Sequence, residues 1–91
     1  MRINLGKVVV TRGVANEINK DNDFKSELTK CLDRYCVGDW GDTSEEDALL
    51  NNTAVEIGER ILAAYETTMG RIWIITEYDR SVTTILFPSE Y

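Results

Sequence analysis

The sequence predicts an α+β domain, and three observations carry that reading. Ile72 to Ile75 and Val82 to Phe87 are apolar runs rich in β-branched and aromatic residues, separated by the polar stretch Glu77 to Ser81, which is the pattern of a β-hairpin. Arg60 to Glu66 (RILAAYE) is a further strand-like run joined to the hairpin through Thr67 to Gly70, so the last third reads as a three-stranded antiparallel meander. Upstream, Phe24, Leu28, Cys31, Leu32, Tyr35 and Cys36 fall within an arc of about 140° on a helical wheel, which supplies a helix to cover the sheet. The expected architecture is a three- to four-stranded antiparallel sheet, the C-terminal meander plus an N-terminal strand, with two or three helices packed on one face. Ninety-one residues and a hydrophobic fraction of 43% suit one domain over residues 1–91 with a modest core.

In chain order, Arg2 to Val10 reads as the first strand, with Gly6 at a bulge or bend. Thr11 is placed to cap a short helix ending near Ile18, and Asn19 to Asn22 forms a polar turn. Asn22 or Asp23 caps the long helix, which runs to Tyr35 or Cys36, and Gly38 ends it as a left-handed residue. Gly38-Asp39-Trp40-Gly41-Asp42 is a loop in which two glycines allow tight turns and the indole can fold back over the helix. Thr43 or Ser44 then caps a helix whose first turn, Glu45-Glu46-Asp47, places acids at the positive end of the dipole. That helix ends near Gly58, with Leu50, Ala54 and Ile57 as its stripe and Asn51 beside them.

Charge is the most informative compositional feature. Residues 1–37 hold seven Lys/Arg against five Asp/Glu, whereas residues 38–91 hold three against eleven. Phosphate contacts need a basic face, so direct nucleic-acid binding is disfavoured; an acidic stretch faces a basic partner or keeps the protein soluble. No apolar run approaches the roughly 18 residues of a membrane span, and the start lacks a secretory pattern, so a cytoplasmic location and no membrane partner are expected.

Chemistry has few candidates. The chain contains no histidine, which removes Ser-His and Cys-His nucleophiles, and neither GxGxxG nor GxxxxGK[ST] occurs. Cys31 and Cys36 are five apart and cannot bridge within one helix; both read as reduced core residues. Asp39, Asp42, Glu45, Glu46 and Asp47 place five carboxylates in nine positions, enough in number for a hard cation but not at EF-hand spacing. Helix capping and turn hydrogen bonds account for them as well, and an acidic binding patch is the third reading. Glu77, Asp79 and Arg80 beside Tyr78 read as a charged tight turn. Trp40 and Tyr78, both in loops, are the aromatic residues suited to anchor a partner.

VVVTRGV, GDWG followed by EED, RILAAY and IWIITEYDRSVTTILFPSEY together resemble a family of short, mostly uncharacterised or plasmid-related proteins from bacteria, their plasmids and phages. The similarity spans almost the whole chain. It departs before GDWG, where Tyr35-Cys36-Val37 stands and no histidine is present. The resemblance implies a mobile-element setting and supplies no activity or catalytic residue; no cofactor is expected.

The leading expectation is a non-catalytic module that binds a basic bacterial protein or ribonucleoprotein, such as a CRISPR-Cas or restriction effector. Its expected contact residues are Asp39, Trp40, Asp42, Glu45, Glu46, Asp47, Glu56, Glu59, Tyr78, Asp79 and Arg80. The rivals are a small metal-dependent or acid–base enzyme built on Asp39, Asp42, Glu77 and Asp79, and a housekeeping or adaptor protein. A homodimer through an exposed sheet edge is a further possibility.

Overall fold

The computed structural model describes residues 2–91. Its elements run β1 (Lys7–Val10), α1 (Arg12–Lys20), α2 (Asn22–Cys36), α3 (Glu45–Ile57), β2 (Ile61–Thr67), β3 (Gly70–Thr76), β4 (Val82–Leu86) and a 3-10 turn at Pro88–Glu90. The strands lie in the order β1-β4-β3-β2. β2, β3 and β4 form the antiparallel meander, and β1 pairs with β4 in parallel, Lys7 opposite Val82 and Val10 opposite Ile85. The sheet is therefore mixed where a purely antiparallel one was expected. Because α1 and α2 follow β1 as a crossover, the first strand can enter beside the last one running in the same direction.

β1 begins at Lys7 instead of Arg2. Gly6 has a φ of +61°, and a methyl group there would overlap the Arg80 and Ser81 carbonyls, so the chain turns sharply into the sheet at that point. Before it, Ile3 is buried and its N–H donates to the Cys36 carbonyl at 3.1 Å.

α1 and α2 pack on one face of the sheet. Val14, Phe24, Leu28, Cys31 and Tyr35 form one core with Ile61, Ala63, Tyr65, Ile72, Ile74 and Ile85. The turn expected over Asn19 to Asn22 contracts to the single residue Asp21: its N–H donates to Glu17 O at 3.0 Å to close α1, while its carboxylate accepts from Asp23 and Phe24 to open α2. Thr11 flanks α1 without capping it. Its hydroxyl donates to Glu90 at 2.6 Å, and the same carboxylate accepts the Gly13 N–H at 2.9 Å, so an acid from the 3-10 turn satisfies the start of α1. Both cysteines are free and buried, as their place on the apolar arc of α2 predicts, and burial pushes the Cys31 thiol pKa up.

α3 departs from expectation. Ser44 caps it, accepting the Asp47 N–H at 3.1 Å, and Gly58 ends it at a φ of +76°. Its buried residues, however, are Asn51 and Ala54, with Ala48 and Val55 half-buried, while Leu50 and Ile57 are each 62% exposed. Among the described residues no helix is long and apolar enough to cross a membrane.

Candidate functional site

The acidic half of the chain divides into residues that build the fold and residues that face outward, and β2 explains the division. β2 is an edge strand whose outward backbone groups at Leu62, Ala64 and Glu66 have no neighbouring strand. Unpaired, each would be a liability for buried polar satisfaction and for unwanted pairing. The Asn51 side chain answers the first position in both directions: its amide donates to Leu62 O at 2.8 Å and its carbonyl accepts the Leu62 N–H at 3.3 Å. At the second, Ala64 O accepts the Asp42 N–H at 2.7 Å and the Ala64 N–H donates to the Thr43 hydroxyl at 3.2 Å. At the third, the Glu66 N–H donates to the Asp42 carboxylate at 2.9 Å. Gly41 makes this close approach possible, since with a φ of +68° it lies where a methyl group would overlap the Ala64 carbonyl and the Tyr65 ring.

The Gly38-Asp39-Trp40-Gly41-Asp42 loop is thus a strand substitute. Trp40 is buried, not an exposed anchor: its ring meets Tyr35 edge-on at 5.4 Å and its N–H donates to Asn52 at 2.9 Å. Asp39 takes Arg34 in a two-pronged pair at 2.7 and 3.2 Å and also accepts the Gly41 N–H. The Arg34 guanidinium holds the Asp39 carboxyl pKa below its usual value, with the Gly41 N–H adding to the effect. The Tyr65 hydroxyl donates to the Asp39 carbonyl at 2.7 Å.

Arg80 is likewise turned inward. It sits at a φ of +60°, and its guanidinium donates to the carbonyls of Ala54 at 2.9 Å, Glu59 at 2.6 Å and Glu77 at 3.2 Å. It pins the C-terminal turn of α3, where carbonyls lack intrahelical partners, to the β3–β4 turn. Asp42 and Arg80 thus meet backbone groups that only the folded chain brings near them, while Trp40 is taken up by the Tyr35 ring and the Asn52 side chain and Asp39 by the Arg34 guanidinium.

Glu45, Glu46, Asp47, Glu56 and Glu59 are all exposed, and none makes a salt bridge among the described residues. Tyr78 is 68% exposed at the hairpin turn, and the Asp79 carboxylate accepts the Ser81 N–H at 3.0 Å; hydrogen bonding from the Ser81 side chain first, and its N–H second, lowers the Asp79 pKa. Glu77 lies 3.7 Å from Arg60. Asp39, Asp42, Glu77 and Asp79 therefore serve separate contacts, and no three Asp, Glu or Cys side chains converge to hold a metal ion among the described residues.

Sequence reading did not anticipate a groove of about 510 Å³ between α3 and the start of β2. Leu50, Thr53, Ala54, Ile57 and Leu62 line it; Asp47 reaches it from the first turn of α3 and Glu59 from beyond the last. The stripe Leu50-Ala54-Ile57 was visible as a stripe, but Asn51 and Ala54 take the buried side, and Leu50 and Ile57, about 100° and 120° around the helix from Asn51, face away from it. Leu49, at 67% exposure, extends the apolar surface around the helix. Compared with family models, curated proteins and solved structures, the chain matches none.

Proposed function

We propose that this protein is a non-catalytic binding module of a mobile genetic element: an acidic cytoplasmic inhibitor that covers a basic, nucleic-acid-binding surface of a bacterial defence complex of the CRISPR-Cas or restriction kind. The observation that carries the reading is the state of the acids on and just after α3. Glu45, Glu46, Asp47, Glu56 and Glu59 project from one helix and its exit, exposed and without internal counter-charges among the described residues. Charges left free in this way steer a basic partner toward the surface and compete with phosphate for it. The resemblance to short plasmid and phage proteins supports the mobile-element setting.

The test is competition. Purified protein is added to CRISPR-Cas or restriction effectors bound to labelled DNA, and release of the DNA is followed as salt is raised. Release by the wild type, with a markedly weaker effect for a folded Glu45→Gln, Glu46→Gln, Glu56→Gln, Glu59→Gln variant, supports the proposal. Release unchanged in that variant at low salt rejects charge as the driver. A homodimer through β1 is a second reading, favoured by exposed Val8 and Val10 on the sheet edge opposite β2; sedimentation of a Val8→Lys variant against wild type tests it.

A further inference from the structure

We propose that the groove between α3 and β2 receives a basic amphipathic helix of the partner protein. Its apolar side chains lie over Leu50, Ile57 and Leu62, and its Lys or Arg residues face Asp47 and Glu59. The inference rests on the partner-binding reading above and specifies what enters.

Three features select this occupant. The first is the apolar content of α3 on two sides: Ala54 is buried with Asn51, while Leu50 and Ile57 stay 62% exposed on the groove side. A helix apolar on more than one face is completed by a neighbour, and large exposed apolar side chains rimmed by charge mark interaction surfaces. The second is the state of the backbone. At Leu62, the β2 residue that lines the groove, both outward backbone groups are already bonded to Asn51, so an extended segment entering there would find no backbone partner and would bury its own amides unpaired. A helix brings a backbone whose hydrogen bonds are internal. Leu50 to Ile57 spans about 10 Å, two turns, which matches apolar positions spaced i, i+3 or i+4, and i+7.

The third is charge. Asp47 and Glu59 line the groove, with Glu56 exposed on the same helix. Arg60, the one base in the lining, is occupied by Glu77 and by the Tyr91 hydroxyl at 2.9 Å. A second copy of α3 would oppose these acids with its own, and an anionic lipid surface would be repelled for the same reason. A basic protein helix is the occupant that the charges favour.

Two labelled peptides of about 14 residues test it, identical in Lys and Leu content. In one the leucines repeat at helical spacing; in the other they are spread around the helix. Fluorescence anisotropy should show the first binding at least about tenfold tighter than the second, a gap of about 1.4 kcal/mol. That gap should disappear in Leu50→Gln/Ile57→Gln, whose fold circular dichroism checks. Equal, salt-sensitive binding of both peptides overturns the groove while leaving the charge reading standing. No binding of either by folded wild type overturns both. A wild-type dimer that the double variant dissolves gives the face to a second copy and also overturns the proposal.

Discussion

α2 and α3 are neighbours in sequence and of similar length, yet they are held by opposite means. α2 buries an unbroken arc, with Phe24 and Tyr35 fully inaccessible and Leu28 at 3%, and Phe24 stacks on Phe87 at 6.2 Å. α3 keeps its largest apolar residues in solvent and is held at the sheet edge by the Asn51 amide and by Arg80. Apolar periodicity identifies a core face only where burial of apolar area is what attaches the helix. Where directional hydrogen bonds attach it, the apolar stripe is released for other uses.

The sharpest way to break this contrast is to cut each attachment in turn. Phe24→Ala should cost about 3–5 kcal/mol, because it empties a closed core position and removes a ring stack. Urea denaturation followed by tryptophan fluorescence reads the loss.

Alkali should separate the helices next. Burial pushes the Tyr35 pKa up from 10.0 to about 12, and its hydroxyl donates to Thr76 at 2.8 Å. The raised folded value means that the unfolded chain loses its proton first. The Tyr35 contribution to stability is therefore intact below pH 10 and is lost through pH 12, about 3 kcal/mol in all. Tyr35→Phe should make that limb of a stability–pH curve shallower, leaving the part due to Tyr65, whose pKa burial also raises, whereas the Asn51 attachment of α3 does not titrate there.

Asn51→Ala should cost about 2 kcal/mol. It leaves the Leu62 N–H and C=O without their partners at a half-buried edge. Faster amide exchange at Leu62, against unchanged exchange in α2, would localise the effect to α3, and uniform exchange would contradict it. The smallest effect is expected of Leu50→Gln with Ile57→Gln: within about 0.5 kcal/mol of wild type, since both side chains are already in water. A loss of several kcal/mol there would show that the stripe belongs to the core after all.

Much of the fold was legible because local physics set it. The strands of the meander, the α2 arc and the Ser44 cap all follow from spacing and side-chain type within a few residues. What escaped reading depends on distant backbone. The parallel entry of β1 beside β4 requires both ends of the chain, and nothing within Lys7 to Val10 encodes direction. Asn51 among the apolar residues of α3 was the one local sign that its helix faced a strand edge. Trp40, Asp39 and Arg80 each carry the chemistry of a surface contact, and each found that contact inside the molecule. Glu45, Glu46, Asp47, Glu56 and Glu59 are exposed on α3 and its exit.

The position of β4 has a consequence for how the protein is made. It lies between β1 and β3, so a strand near the end of the chain is the central bridge of the sheet. During synthesis β1 leaves the ribosome before α1, α2, α3, β2 and β3 and waits through all of them for β4, the strand it pairs with. The β2–β3 hairpin can form early because its contacts are local, and it already offers α2 a face to pack on, but β1 has no strand to pair with until Val82 to Leu86 has emerged. Completion of the sheet is thus a late step, and a ribosome stalled before Val82 holds a chain whose first strand is still unpaired.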